Sequence, residues 1–187
     1  MKIQHAQNGL TLLELMIAVS LFTVVMLIST TMFIKAIDNQ KQSIAANNLQ
    51  QGLNYAISIM SNEAYGVIQD PTLCPENPFI CTDATHFFCS HSSDTQLTFQ
   101  NASAQCVNFL IENDADSIPR LRMTRGVDSA YITPATMRVT SLNFFVSNTD
   151  DATYPIGAAT MSITAQSLTG VEYPETLRVQ TTVATAP

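Results

Sequence analysis

The chain has 187 residues and a net charge of −7, with 8 basic and 15 acidic side chains. This length suits one domain with a helical extension, and the acidic balance argues against a nucleic-acid-binding protein, which needs a basic face. Only 12% of the residues are charged, and neutral polar residues are abundant, a balance that favours an extracytoplasmic protein over a cytosolic enzyme.

A long apolar run, residues 10–34, follows a short leader, residues 1–9, that contains Lys2. The run has no Pro and no Gly, and its one charged residue is Glu14. At about 1.5 Å per residue, a helix over this run is roughly 38 Å long, more than the hydrocarbon thickness of about 30 Å. A basic leader before such a run predicts a membrane-spanning helix with its amino end in the cytoplasm.

Glu14 is unusual in a membrane span. A carboxylate inside an apolar helix costs about 2.5–3.5 kcal/mol on insertion scales and is usually functional. If the chain is cut after Gly9, the new ammonium group at Leu10 lies close before Glu14 along the chain. The two charges pair poorly within one helix and well between two staggered helices, so Glu14 is predicted to set the register between subunits.

Residues 9–15 read Gly-Leu-Thr-Leu-Leu-Glu-Leu. With the apolar run that follows, this pattern resembles the type III signal of type IV pilins and of type II secretion pseudopilins. The resemblance implies that a prepilin peptidase cuts between Gly9 and Leu10 and methylates Leu10, and that Glu14 and Thr11 serve assembly. Leu10 stands where Phe or Met is commoner. A plain signal anchor with a chance Glu is the alternative, while a secretory signal peptide would have a shorter apolar region.

The resemblance also implies the fold and the partners. The expected fold class is α+β and pilin-like, with one long N-terminal helix, membrane-spanning in its first half, packed against an antiparallel β-sheet. The expected partners are other pilin or pseudopilin subunits, the prepilin peptidase and the inner-membrane assembly platform. Neither enzymatic activity nor a cofactor or metal is expected. The chain would lie in the bacterial inner membrane with a periplasmic C-terminal domain, and in a pilus or pseudopilus after assembly.

Residues 35–64 extend the predicted helix, since they contain no Pro and one Gly, Gly52. Their apolar residues recur at spacings of three, four and seven, which indicates one buried stripe opposite a neutral polar face. Residues 65–187 are predicted to form a β-rich globular domain. The stripe comprises Ile37, Ile44, Ala45, Leu49, Leu53, Ala56, Ile57, Met60 and Ala64.

Four cysteines in a translocated domain predict two disulfides. They allow three connectivities, and Cys74–Cys81 is preferred for one pair because the two are close in sequence. His86 and His91 make zinc the competing interpretation, but the Cys spacings do not fit a tight zinc-binding pattern. The four cysteines are Cys74, Cys81, Cys89 and Cys106.

Residues 65–93 are predicted to form a loop, because three X-Pro turn signals interrupt them. Beyond it, period-two alternation predicts strands, and a change of parity near Ser141 predicts a bulge. The predicted strands centre on residues 97–99, 107–111, 121–123, 137–146, 161–165 and 177–183.

Two charged clusters and one sequon remain. The acidic group Glu112, Asp114 and Asp116 has the chemistry of a calcium site, although a solvated hairpin end is the simpler interpretation. A basic cluster, Arg120, Arg122 and Arg125, is interpreted as a solvated strand face. Residues 101–103 fit a glycosylation sequon that a bacterial pilin-like protein would rarely use.

Within the family, the position of the cysteines and the run of strands after them are similar to the W-type minor pilins and the J-type minor pseudopilins. The resemblance implies a minor subunit that helps to initiate or prime a type IV pilus or a type II secretion pseudopilus. The alternative is a pilin-like adhesin or DNA-uptake subunit that binds a ligand through residues 65–93.

Overall fold

The computed structural model describes residues 11–68, 74, 87–91, 94–148, 157–168 and 174–185. The chain divides between Lys41 and Gln42 into two units. The described part of the first unit is helical, and the second unit contains the end of the same helix together with the strands.

Helix α1 spans Leu12–Ala64 and is long and apolar enough to cross a membrane. In the first unit every described residue, from Thr11 to Lys41, is exposed. The mean hydropathy reaches 2.4 over an 18-residue window. The helix runs without a break from Leu12 to Ala64, because no Pro in it removes a backbone donor. The single helix predicted over residues 10–64 is therefore confirmed over its described part.

In the second unit α1 is amphipathic, as its periodicity predicts. Its buried residues recur every three or four positions, and Leu53, Ala56 and Met60 are fully inaccessible to solvent. The buried stripe begins later than predicted, since Ile37 and Ile44 are exposed and Ile57 is only partly buried. The buried residues are Ala45, Leu49, Gly52, Leu53, Ala56, Met60 and Ala64.

Gly52 permits a close approach between α1 and the segment that precedes the second sheet. A Cβ atom at this position would lie 2.8 Å from Sδ of Met137 and 3.1 Å from Cγ of Pro134. Met137 is itself buried, so its side chain has little room to move away. The loss of helix propensity at Gly52, about 1 kcal/mol relative to Ala, is thus offset by tight packing.

The strands form two antiparallel sheets, a five-stranded sheet in the order β1-β2-β3-β4-β5 and a three-stranded sheet in the order β6-β7-β8. The predicted α+β class, with a long N-terminal helix against antiparallel strands, is confirmed; the strands are divided between two sheets. The strands are β1 (Phe88–His91), β2 (Gln96–Gln100), β3 (Cys106–Asn113), β4 (Pro119–Arg125), β5 (Asp128–Tyr131), β6 (Met137–Asn148), β7 (Gly157–Ser167) and β8 (Thr176–Ala184).

The bulge predicted near Ser141 is confirmed, because the register between β6 and β7 shifts between Val139 and Ser141. Two strands were missed. β1 lies inside the segment that was predicted to be a loop, and the predicted strands did not include β5, whose four residues are all exposed.

The core of the second unit combines the helix stripe with the inward side chains of both sheets. Aromatic rings run across the five-stranded sheet, where Phe88 and Phe99 meet edge to face at 5.6 Å and Phe99 and Phe109 lie 6.0 Å apart. These three rings are buried, and Phe144 of the second sheet is buried as well. Each fully buried apolar side chain of this size contributes about 1.5–3 kcal/mol to folding.

Candidate functional site

Thr11 caps the start of α1. The backbone N–H of Glu14 donates a hydrogen bond to Oγ1 of Thr11 at 3.3 Å, and the N–H of Leu15 donates to the carbonyl oxygen of Thr11 at 3.1 Å. A Thr followed three residues later by Glu is the sequence signature of a capping box. That spacing was available in the sequence, and sequence reasoning did not use it. Gly9 and Leu10, the predicted cleavage site, lie outside the described residues.

Five hydroxyl groups in the first half of α1 are satisfied within the helix. Five hydroxyl side chains each donate a hydrogen bond to a backbone carbonyl three or four residues earlier, at 2.7–2.8 Å. A lipid-facing helix needs such bonds because the bilayer core offers no water. Only Glu14 is charged between Leu12 and Ile34, and within the described residues its carboxylate forms no salt bridge. These hydroxyls belong to Ser20, Thr23, Ser29, Thr30 and Thr31.

The disulfide connectivity differs from the preferred one. Cys74 is bonded to Cys106, the first residue of β3, with their Cα atoms 5.6 Å apart, so the Cys74–Cys81 pairing is wrong. The preference rested on proximity in sequence, whereas the fold brings together two cysteines separated by 32 positions. Cys89 is also disulfide-bonded, and Cys81 lies outside the described residues.

The zinc interpretation finds no support in the described part of the chain. A sulfur atom in a disulfide is not a thiolate, which is the form that binds zinc. The described residues contain no group of three or more His, Cys, Asp or Glu side chains placed to hold a metal ion. His91 lies in β1, and His86 lies outside the described residues.

Asp114 organises the β3–β4 hairpin. Its Oδ1 accepts hydrogen bonds from the N–H groups of Asp116 and Ile118, each at 3.0 Å, and its Oδ2 lies 3.5 Å from Nη1 of Arg120. The Ile118 N–H is the main cause that lowers the pKa of the Asp114 carboxyl below its ordinary value, and Asp116 and Arg120 add to it against the opposing effect of burial. The Asp114 carboxylate thus stabilises the turn, the Glu112 carboxylate is paired with Arg122 across the strands, and the calcium interpretation gains no support.

The basic cluster is not a freely solvated face, so that interpretation was wrong. Arg120 donates from Nε to the carbonyl oxygen of Thr133 at 2.9 Å and lies 4.8 Å from the ring centroid of Tyr131. Arg122 forms an ion pair with Glu112, which lies on β3 two residues beyond Leu110, the residue directly opposite Arg122. It also donates a hydrogen bond to Oγ of Ser129 at 2.8 Å. Both guanidinium groups therefore tie β4 to its neighbours.

The third arginine joins the helix to the sheet through Glu63, which sequence reasoning did not single out. The Glu63 side chain is only 13% exposed and forms an ion pair with Nη2 of Arg125 through Oε1. Its other oxygen, Oε2, accepts a hydrogen bond from Nδ2 of Asn101 at 3.0 Å. Asn101 is buried and its Oδ1 accepts from Ser103 and Gln105, so this sequon residue is engaged in the fold.

A family model described as a prokaryotic N-terminal methylation motif matches residues 4–30. The matched segment contains the predicted cleavage site, the Thr11 cap and Glu14. This match supports assignment to the type IV pilin and pseudopilin family. A motif of this type implies processing by a prepilin peptidase and assembly with other pilin subunits, and it is consistent with anchoring in a membrane. No curated protein and no solved structure matches the chain.

Proposed function

We propose that the chain is a minor pilin-like subunit that a prepilin peptidase processes and that helps to initiate or prime a type IV pilus or a type II secretion pseudopilus. The observation that carries the proposal is the placement of Glu14 on the helix that Thr11 caps, inside the segment that matches the methylation motif. In this proposal residues 1–9 are the leader, Gly9 and Leu10 form the processing site, and Leu10 is methylated.

The proposed organisation assigns a role to each segment. Residues 10–34 are the membrane and assembly half of the helix, residues 35–64 are its amphipathic half, and residues 65–187 form the globular domain. The exposed apolar surface of α1 before Ala45 supports the first assignment, and the buried stripe from Ala45 onward supports the second.

The globular domain is proposed to be periplasmic before assembly. The Cys74–Cys106 disulfide supports this location, since such bonds persist in oxidising compartments such as the bacterial periplasm and are rare in the cytosol. The domain acts as a structural part of the filament and not as an enzyme.

In this proposal the chain is a minor subunit with another subunit above it in the filament, so it does not form the tip itself. Within this family, subunits at the filament tip often lack the assembly carboxylate, whereas this chain has Glu14. Glu14 is therefore proposed to accept the ammonium group of an adjacent subunit, which neutralises a carboxylate that is costly in lipid.

Deletion of this subunit tests the priming role. We expect filament number, or secretion where the filament is a pseudopilus, to fall at least about tenfold, equivalent to a loss of about 1.4 kcal/mol from the initiation step. The count is made by electron microscopy of sheared filaments, with re-expression of the wild-type chain as the control. Normal filament numbers together with lost ligand or DNA binding would instead favour the adhesin or DNA-uptake alternative.

A further inference from the structure

Strand β8 lies at the edge of the three-stranded sheet and, within the described residues, pairs only with β7. It is nine residues long, whereas the edge strand β5 of the other sheet has four. A long free edge presents unpaired backbone groups to which another strand can bond.

The hydrogen-bond pattern shows which backbone groups of β8 point outward. The N–H of Ser167 donates to the carbonyl oxygen of Glu175 at 3.0 Å, and the N–H of Thr185 donates to that of Gly157 at 2.8 Å. Because hydrogen-bonded and non-hydrogen-bonded pairs alternate along an antiparallel ladder, the odd-numbered residues of β8 bond to β7. The even-numbered residues direct their N–H and C=O groups away from β7. They are Thr176, Arg178, Gln180, Thr182 and Ala184.

The core-facing side of β8 is incompletely covered. Leu177, Val179 and Val183 pack against the core but are only partly buried. Their partners on β7 are fully inaccessible to solvent, as at Ala159 and Ile163. Burial of the apolar face thus decreases from β7 to β8, and a further strand beside β8 would extend the covered surface.

β8 also lacks most of the devices that protect natural edges, such as short length, Pro, Lys or a bulge. Its register with β7 is continuous, it contains no Pro, and its one charged residue is Arg178. Nε of Arg178 donates to Oγ of Ser162 at 3.0 Å, and no carboxylate within the described residues forms an ion pair with this guanidinium.

We propose that β8 is a strand-pairing interface that receives an extended segment of a different pilin-type subunit, an inference that rests on the proposed function. Main-chain hydrogen bonds to the outward groups of β8 supply the affinity, and alternate apolar side chains of the incoming segment supply the specificity. The incoming segment carries an acidic residue opposite Arg178. A second copy of β8 is not the expected partner, because Thr176–Ala184 contains no carboxylate and the adjacent Glu175 already accepts a hydrogen bond from Nε2 of Gln42.

The test uses the full-length chain in membranes, with a photo-cross-linking amino acid at Thr182, an exposed outward position. We expect a cross-linked product whose partner peptide, identified by mass spectrometry, belongs to an extended segment of another chain with the N-terminal methylation motif. Gln180→Pro removes one outward N–H without disturbing the ladder to β7, and should reduce the product at least about fivefold, equivalent to about 1 kcal/mol. Gln180→Ala, the matched control, retains the N–H and should retain the product.

Several outcomes overturn the interface. These are a product within the same chain, a product between two copies of this chain, no product, or equal yields for the Pro and Ala variants. The melting temperature of the Gln180→Pro protein is measured alongside; if it falls, the product at Thr182 in the chain with Gln180 decides the question, and its absence overturns the interface. If the variants enter filaments normally and Thr182 gives no product, the interface fails and the proposed function stands; absence of the wild-type chain from filaments contradicts the function itself.

Discussion

Replacement of Glu14 by Val is expected to abolish most contacts with neighbouring subunits while leaving the chain in the membrane. Insertion should be unchanged or improved, because Val removes the cost of placing a carboxylate in an apolar span; that cost is about 2.5–3.5 kcal/mol at a helix centre and smaller in the first turn, where Glu14 lies. Cleavage after Gly9 should also survive. Cross-linking to other pilin subunits should fall about tenfold or more, which corresponds to the loss of at least about 1.4 kcal/mol of coupling.

The structure indicates that this variant leaves the helix start intact. The cap at Thr11 is formed by the backbone N–H of Glu14 and not by its side chain, so Val at this position retains the hydrogen bond. A loss of assembly would therefore report on the carboxylate. Leu15→Val is the matched control, since it places the same side chain at the adjacent position and leaves the carboxylate in place.

Two further substitutions separate charge from shape. Arg should be worse than Val, since it would face the incoming ammonium group of a neighbour with a like charge. Asp should retain part of the function, being anionic and one methylene shorter. If Glu14→Val cross-links to its neighbours and supports filaments at the wild-type level, the carboxylate is not the assembly device.

Glu63→Ala is expected to destabilise the globular domain by about 2–3 kcal/mol. The substitution removes two hydrogen bonds to a mostly buried carboxylate and leaves Nδ2 of the buried Asn101 without its acceptor, whereas Arg125, with 39% of its side chain exposed, stays hydrated. Nε of Arg125 has no hydrogen-bond partner within the described residues. The ion pair between its Nη2 and Glu63 is therefore the contact that holds this guanidinium group in place. At about 2–4 °C per kcal/mol for a chain of this size, the melting temperature should fall by about 5–10 °C.

Thermal unfolding of the full chain in detergent, followed by circular dichroism, measures this effect. The adjacent and exposed Asn62→Ala is the matched control and should change stability by less than about 0.5 kcal/mol. Glu63→Gln, which keeps the shape and loses the charge, should lie between the two. Equal melting temperatures for Glu63→Ala and Asn62→Ala would show that the link to Arg125 contributes nothing measurable.

The features that the sequence predicted depend on local periodicity. The apolar run, the stripe from Ala45 to Ala64 and the parity change near Ser141 each follow from the spacing of residues along one element. The stripe was nevertheless extended too far toward the amino end, because exposed Ile37 and Ile44 fit the same period as the buried residues. Periodicity identifies a helix face but not where its packing begins.

The features that the sequence did not predict depend on contacts between distant residues. Glu63 and Arg125 are 62 positions apart, and Cys74 and Cys106 are 32 apart. Neither distance in sequence indicates proximity in the fold. Strand β5 has no apolar alternation because all its residues are exposed, and β1 is short and lies in a segment rich in Pro and Cys.

The Thr11 cap is a different case, because its signal was present. Thr11 and Glu14 have the spacing of a capping box, so the hydrogen bond from the Glu14 N–H to Thr11 could be predicted from local sequence alone. The structure assigns the Glu14 backbone to the helix start. Its side chain is thereby left for the proposed role between subunits.

The intact mass of the chain, purified from cells with and without the prepilin peptidase, tests the central claim most directly. The account predicts that peptidase-containing cells yield a chain that lacks residues 1–9 and carries one methyl group on Leu10, and that cells without the enzyme yield the full-length chain. A full-length, unmethylated chain in the presence of active peptidase would contradict the account.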